Sequence, residues 1–205
     1  MNSDFEIVEG FFTEELVLQK QYKFPYQIVT IGELARMTTL TSNDAGILLV
    51  KMLDHRVSKI KKDELVLVLD KINDPGNLGT IIRTADWYGI SQIICSPDTV
   101  DCYNTKVLMA TMGSFIRVSI FYTDLDQYLS EIQGKIYGAY LNGESTHTKD
   151  FSARGGYLVI GSEAHGISAN LKQYITDRVT IPRFGLAESL NAGVATAVIL
   201  DRMMG

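Results

Sequence analysis

The sequence has few of the residues from which metal centres and disulfide frameworks are built. Its 205 residues include two cysteines, Cys95 and Cys102, and three histidines, His55, His147 and His165. Two cysteines are too few for a disulfide framework, and the histidines are too scattered for a zinc site. We therefore expect two buried free thiols and no bound metal.

Long apolar runs are also missing. None reaches the roughly 18 to 20 residues needed to cross a bilayer, and the N-terminal MNSDFEIVEG lacks the basic patch and apolar core of a secretory signal. These absences favour a soluble cytoplasmic protein without membrane association. At 46 % hydrophobic residues, the chain can still bury the core of one ordinary domain with a small appendage.

An excess of positive charge is absent as well. The net charge of −5 argues against a generally basic, nonspecific nucleic-acid binder. Residues 51–62 nevertheless hold five basic residues and one acidic residue, whereas residues 1–50 hold three basic and seven acidic residues. The basic segment is interpreted either as a local nucleic-acid contact or as a solvated linker.

The hydrophobic pattern changes near residue 60. Residues 1–58 contain one short helical pattern, at 13–20, and two strand-like segments, at 26–30 and 46–50, which together are small for an independent core. We predict a small N-terminal domain over 1–58 and a larger domain over 62–205.

In the larger domain, strands alternate with helices, which predicts an α/β fold with a parallel sheet covered by helices on both faces. The predicted strands are 65–70, 92–95, 116–120, 135–141, 157–161 and 179–181. The predicted helices are 77–88, 104–112, 125–132, 168–174 and 190–203.

The most constrained segment, IPRFGLAESLNAGVATAVIL, runs from the end of the last predicted strand into the last predicted helix. Ile181 precedes a proline, which ends the strand, and Ser189 is a good N-cap for the helix. Asn191 and Gly193 are poor helix formers, glycine costing about 1 kcal/mol relative to alanine. These small and polar residues indicate either close packing of a buried helix or a functional site.

Ligands of open parallel sheets bind at the carboxyl ends of the strands, where this sequence collects its glycines and polar residues. The sequence lacks three common motifs, G-x-G-x-x-G, G-x-x-x-x-G-K-[ST] and G-x-S-x-G. Their absence argues against a dinucleotide-binding protein, a P-loop protein and a serine hydrolase, respectively. In DPGNLGTIIR, Asn77 is placed to cap a helix. Arg83 lies among apolar residues, where it is either functional or a surface arginine of an amphipathic helix.

Three segments together carry a specific resemblance. DPGNLGTIIRTADWYGI, VIGSEAHGIS and IPRFGLAESLNAGVATAVILD, in this order, closely resemble the three motifs of the SpoU-type RNA ribose 2′-O-methyltransferases of the SPOUT class. The resemblance covers the chain from about residue 65 onwards. It implies a deep C-terminal trefoil knot, S-adenosylmethionine as cofactor, and a homodimer with active sites at its interface. The implied reaction is methylation of a ribose 2′-hydroxyl of rRNA or tRNA; the alternative is a non-catalytic RNA-binding protein with the same fold.

The resemblance also implies site residues. The catalytic positions that match are Arg83, Asn77, Ser189, Asn191 and Glu163. The positions that match the cofactor pocket are Leu141, Asn142, Gly143, Ile160, Gly161, Ile181, Pro182, Leu190 and Ala195. Glu163 has a second interpretation, in which its carboxylate accepts backbone amides and holds its own loop.

The chemistry limits the role of Arg83. A guanidinium with a pKa above about 12 is a poor general base at neutral pH. We therefore expect Arg83 to orient the ribose and its phosphate and to stabilise negative charge developing on oxygen.

The N-terminal segments FEIVEG and TIGELARMTTLTSNDAGILLVK resemble, more loosely, the small ribosomal-protein-like RNA-binding domain that many of these enzymes carry, here in abbreviated form.

Overall fold

The computed structural model describes residues 5–38, 40, 43, 45–53, 63–151 and 155–205. The chain divides into two compact units, Met1–Asp54 and His55–Gly205. Most of the basic segment 51–62 lies outside the described residues, as do the limits predicted at 58 and 62, so the exact domain limits stay a prediction.

The first unit is a three-stranded sheet with two short helices. Its strands have the order β2-β1-β3, with β1 parallel to β2 and antiparallel to β3. The elements are β1 (Ile7–Phe12), α1 (Glu14–Gln19), β2 (Tyr26–Ile28), α2 (Ile31–Met37) and β3 (Ile47–Val50). Among its described residues, only Phe12 and Leu34 are buried hydrophobics, so the unit has little core of its own.

Sequence reasoning missed α2, although its start carries a recognisable signal. Thr30 accepts a hydrogen bond from the Glu33 amide, and the Glu33 carboxylate accepts one from the Thr30 amide. This reciprocal capping box, with the sequence Thr-x-x-Glu, marks a helix N-terminus.

The second unit contains a six-stranded parallel sheet with the order β6-β5-β4-β8-β7-β9, which confirms the predicted α/β architecture. Its strands are β4 (Leu65–Asp70), β5 (Gln92–Cys95), β6 (Ser119–Tyr122), β7 (Ile136–Ser145), β8 (Gly156–Gly161) and β9 (Asp177–Thr180). Its helices are α3 (Pro75–Trp87), α4 (Thr105–Thr111), α5 (Leu125–Ser130) and α6 (Ala192–Met204), with 3-10 turns at Ser114–Ile116 and Ala169–Tyr174.

Both faces of this sheet are buried. In β4, Leu65, Leu67 and Leu69 pack into one core cluster with residues of α3 and α6, whereas Val66 and Val68 pack into a second cluster with residues of α5. A central strand covered on both sides needs apolar residues at every position, which explains the run LVLVL.

Two element starts differ from the prediction. The cap of α3 is Asp74, whose carboxylate accepts the Asn77 amide at 2.8 Å, so Asn77 lies inside the helix and is not its cap. β6 begins at Ser119, three residues after the predicted start, because Met112 and Gly113 adopt left-handed conformations and the chain then forms a 3-10 turn.

The start of α6 was also misplaced. The cap is Asn191, whose side-chain oxygen accepts the amides of Gly193 and Val194 at 3.0 and 3.2 Å, and Ser189 lies before it. Asn191 is therefore not a helix residue of poor propensity. A Cβ on Gly193 would lie 2.9 Å from Thr80 Cγ2 of α3, which confirms that close helix packing explains this glycine.

Cys95 and Cys102 are buried free thiols, as predicted. Burial raises the pKa of both, that of Cys102 to about 11. Among the described residues, no helix is both long and apolar enough to cross a membrane. The same residues contain no group of three or more histidine, cysteine or acidic side chains arranged to hold a metal ion.

Candidate active site

The site is built around a tight loop that follows β8. Gly161 ends the strand, and the chain folds back so closely that a Cβ on Gly161 would lie 2.1 Å from the carbonyl carbon of Gly166. The Gly166 amide donates to the Ser162 carbonyl oxygen at 2.8 Å, and Gly166 itself has a positive φ of 65°. Both glycines of G-x-E-x-x-G are therefore needed for the shape of the loop.

A buried carboxylate fixes the far end of this loop. Asp70, the last residue of β4, is 2 % exposed and accepts hydrogen bonds from the Ser168 amide and hydroxyl at 2.6 and 3.2 Å. Sequence reasoning did not assign Asp70 a role. The signal was present, since it is the one charged residue in an otherwise apolar buried strand.

The three motif segments meet in one hydrogen-bond network. Glu163 Oε1 accepts from Asn77 Nδ2 and from the Ala192 amide, both at 3.1 Å. Asn191 Nδ2 donates to Asn77 Oδ1 at 2.5 Å. The carboxylate thus lies at the N-terminus of α6, where the helix dipole favours negative charge. Among the described residues, the one backbone amide that donates to Glu163 is that of Ala192 in α6, so the Glu163 carboxylate joins the 161–167 loop to that helix.

The network makes a prediction about stability. Asn191→Ala removes the cap of α6 and the bond to Asn77, so we expect a loss of about 2 kcal/mol and a fall of roughly 4 to 8 °C in the thermal midpoint. Asn191→Ser should recover about half of this loss, because serine caps well but is too short to reach Asn77. Thermal unfolding followed by circular dichroism measures both.

Ser189→Ala is the matched control, since Ser189 was the cap predicted from sequence. It should leave the thermal midpoint unchanged. A midpoint that falls with Ser189→Ala and not with Asn191→Ala would contradict the observed start of α6.

Beside the network lies a cavity of about 640 Å³ at the carboxyl edge of the sheet. Ten of the predicted site residues line it: Leu141, Asn142, Ile160, Gly161, Glu163, Ile181, Pro182, Ser189, Leu190 and Ala195. The volume is within the roughly 300 to 1,000 Å³ of small-molecule sites, and such sites combine apolar walls with a few polar groups. The acidic, basic and histidine residues in the lining are Glu163, His165, Lys172, Arg183 and Glu188.

Gly143 was predicted to bind the cofactor, but it is not among the residues that line this cavity. A Cβ there would lie 2.7 Å from the carbonyl oxygen of Arg178 in β9. Glycine is needed at this position because the chain passes directly over the backbone of the neighbouring strand.

Asn77, Arg83 and Asn191 also lie outside the cavity lining. Asn77 is connected to the cavity by its hydrogen bond to Glu163, and Asn191 by its hydrogen bond to Asn77. Arg83 is an exposed residue of α3. Within the described part of the chain, the Arg83 side chain makes no hydrogen bond or ion pair. The structure therefore unites the three motifs but leaves the arginine exposed on α3.

Sequence reasoning missed several lining residues, of which Lys172 is an example. It lies on the 3-10 turn Ala169–Tyr174, which carries none of the three motifs. Only the folding of this turn against the sheet places Lys172 at the cavity, so no local pattern could have identified it.

An open parallel sheet with a ligand cavity at its carboxyl edge defines the class of α/β ligand-binding folds. Within that class, the SpoU rRNA Methylase family model matches residues 64–201. The chain belongs to this family.

Known relatives agree with this assignment. The chain is 32 % identical over 150 residues to the 23S rRNA (guanosine(2553)-2′-O)-methyltransferase RlmP of Bacillus subtilis, covering 72 % of this chain and 60 % of the relative. It is 34 % identical over 143 residues to the 23S rRNA (guanosine-2′-O-)-methyltransferase RlmB of Xanthomonas axonopodis pv. citri, covering 66 % and 56 %. The matched part thus spans about three fifths of the length of these relatives.

Solved structures share the fold. An AdoMet-bound rRNA methyltransferase from Sinorhizobium meliloti superposes with a TM-score of 0.85 at 26 % identity, over 98 % of this chain and 80 % of that protein. A TrmH/SpoU tRNA modifying enzyme from A. aeolicus gives a TM-score of 0.60 at 26 % identity, over 70 % and 75 %.

Proposed function

We propose that the chain transfers the methyl group of S-adenosylmethionine to a ribose 2′-hydroxyl of ribosomal RNA. The observation that carries this proposal is the convergence of Asn77, Glu163 and Asn191, one from each motif, beside a cavity of about 640 Å³. The rRNA 2′-O-methyltransferase relatives favour ribosomal over transfer RNA as the substrate.

The cavity suits S-adenosylmethionine chemically. Apolar residues such as Ile160, Ile181 and Leu190 offer walls for the adenosyl group, and the charged lining residues offer partners for the ammonium and carboxylate of the methionyl end. When bound, the cofactor supplies an electrophilic methyl group on a sulfonium. The carboxylates of Glu163 and Glu188 are balanced by the cations of Lys172 and Arg183, and a lining with both signs of charge suits the zwitterionic methionyl end.

The chain's own residues must orient the nucleophile. A ribose hydroxyl is weakly nucleophilic, so alignment with the methyl group supplies much of the rate enhancement. We assign to Arg83 the bidentate contact with the ribose and its phosphate, and to Ser189, which lines the cavity, a hydrogen bond to the substrate.

We further propose that the active protein is a homodimer in which Arg83 of one copy serves the cavity of the other. The position of Arg83, exposed on α3 and outside the cavity lining of its own chain, supports this arrangement. The adjoining helices α3 and α6 also carry exposed apolar side chains, Trp87 and Val194, which a second copy would cover.

A mixing experiment tests the shared site. Arg83→Ala removes the arginine, and Ala195→Phe fills the cavity, so each variant alone should be inactive. When the two are unfolded and refolded together, mixed dimers have one complete site, and about a quarter of the activity should return for a symmetric dimer. No recovery, with mixed dimers demonstrated by mass spectrometry, would contradict the shared site.

Three further assignments accompany the proposal. The C-terminal segment forms the family's trefoil knot, which is supported by the joint lining of the cavity by the 161–167 loop and the segment after β9. The N-terminal unit contacts RNA, which is supported by the resemblance of its segments FEIVEG and TIGELARMTTLTSNDAGILLVK to a small RNA-binding domain. The protein acts in the cytoplasm, where ribosomal RNA is accessible.

Two measurements test the activity. Calorimetry should detect one S-adenosylmethionine per chain, and the absence of binding would overturn the proposal. Mass spectrometry of ribosomal RNA nucleosides from a deletion strain should show the loss of one 2′-O-methyl group. Cofactor binding with an unchanged nucleoside profile would support the non-catalytic alternative.

A further inference from the structure

One wall of the cavity lacks the support of regular strand pairing. In the ladder between β7 and β9, Ala139 and Glu144 both lie opposite Val179, so residues 140–143 bulge out of the sheet. Three residues of this bulge, Tyr140, Leu141 and Asn142, line the cavity. Because bulged residues leave the ladder, something other than the ladder must hold the wall in position.

After the bulge the chain turns back on itself. Ser145 pairs with Thr180, and the Thr146 amide donates to the Thr180 carbonyl oxygen at 2.9 Å. The amides of Thr148 and Lys149 both donate to the Ser145 carbonyl oxygen, at 3.1 and 2.9 Å. This turn brings the Lys149 side chain alongside both strands.

Lys149 joins the two ends of the bulge. Its Nζ lies 2.8 Å from Glu144 Oε2, immediately after the bulge, and 2.8 Å from Asp177 Oδ1. Asp177 pairs with Tyr137, which precedes the bulge, and the ammonium lies 5.9 Å from the centre of the Tyr137 ring. The side chains of Lys149 and Asp177 are only 10 % and 14 % exposed, so solvent screens this ion pair weakly.

The charges around the ammonium are well matched. Burial acts to raise the pKa of Asp177, but hydrogen bonds from Lys149, Thr176 and Lys135 outweigh it and hold that pKa at about 2. Hydrogen bonds from Asp177 and Glu144 raise the pKa of Lys149. Lys149 and Asp177 are therefore both charged at neutral pH.

We infer that Lys149 is a positioning residue for the cofactor cavity, because it holds the 140–143 bulge at the position that S-adenosylmethionine binding requires. This inference rests on the proposed function. Lys135 provides a built-in comparison. It also contacts Asp177, at 3.0 Å, but its side chain is 57 % exposed and it has no contact with Glu144. Lys135 thus supports β9 without spanning the bulge.

The test compares Lys149→Met with Lys135→Met, each of which keeps an apolar stem and removes the charge. Lys149→Met should raise the Kd and KM for S-adenosylmethionine by about tenfold, which corresponds to a loss of about 1.4 kcal/mol of binding free energy. The kcat at saturating cofactor should be unchanged. Lys135→Met should leave all three constants unchanged.

A second variant, Glu144→Gln, provides the test if Lys149→Met fails to fold. Glu144→Gln alters the partly exposed end of the same contact and should also raise the Kd. Its effect should be smaller than that of Lys149→Met and should not add to it, because both variants weaken the contact between Lys149 and Glu144. A Kd unchanged in Lys149→Met and Glu144→Gln, when the unsubstituted chain binds cofactor, overturns this inference alone. Failure of the unsubstituted chain to bind overturns the proposed function itself.

Discussion

Replacing Arg83 by alanine is expected to abolish methyl transfer while leaving the affinity for S-adenosylmethionine unchanged. Arg83 lies outside the cavity lining, and its side chain makes no hydrogen bond or ion pair within the described part of its own chain. Its removal should therefore disturb neither the cavity nor the fold. The loss of one preorganised charge-stabilising group lowers kcat by about 10²- to 10³-fold, and the loss of substrate orientation adds to this effect.

Single-turnover methylation of ribosomal RNA and calorimetry with the cofactor separate these two effects. Arg83→Lys should recover only part of the rate, because an ammonium keeps the charge but lacks the planar pair of donors. Lys106→Ala, which removes an exposed cation from α4, should be fully active. If Arg83→Ala lost cofactor binding in parallel with activity, the assigned role would be wrong.

Gly161→Ala is expected to destroy the cofactor cavity. The added methyl carbon would lie 2.1 Å from the carbonyl carbon of Gly166 and 2.3 Å from the amide nitrogen of Ile167. Both are backbone atoms, so no side-chain rotation can relieve the clash, and the whole 161–167 loop must shift. Overpacking of this kind typically costs about 1 to 3 kcal/mol, and the displaced loop would also move Glu163 away from Asn77 and α6.

We expect Gly161→Ala to lower the thermal midpoint and to reduce cofactor binding below detection. Gly185→Ala is the control for stability, since a Cβ at Gly185 would meet no atom within 4 Å. Its thermal midpoint should equal that of the unsubstituted chain. Normal stability and normal cofactor affinity in Gly161→Ala would show that the loop is more adaptable than its packing indicates.

The sheet could be predicted from sequence because its signals are local. The strand Leu65–Asp70 is a continuous apolar run, and such a run is what burial on both faces demands. The strand Gln92–Cys95 was likewise predicted with correct bounds. The start of a strand is predicted wrongly where the chain adopts another local structure first, as in the 3-10 turn that precedes Ser119.

The start of α6 shows why the site was harder to predict. Ser189 and Asn191 are both good caps, so local preference cannot choose between them. The choice depends on hydrogen bonds between residues that are distant in the sequence. Asn77 and Asn191 are 114 positions apart, and Asn77 and Glu163 are 86 positions apart. The motifs identified which residues gather, but the hydrogen bonds that arrange them arise only in the folded chain.

The separation of these partners along the chain also determines the order in which the protein can fold. Closing loops of 86 and 114 residues is slow, because the entropy of closure is lost before the contacts form. During synthesis, β4, β5 and β6 emerge before α6. The cavity is thus completed only when α6 docks against Glu163, because Ala192 and Ala195 of that helix form part of its lining.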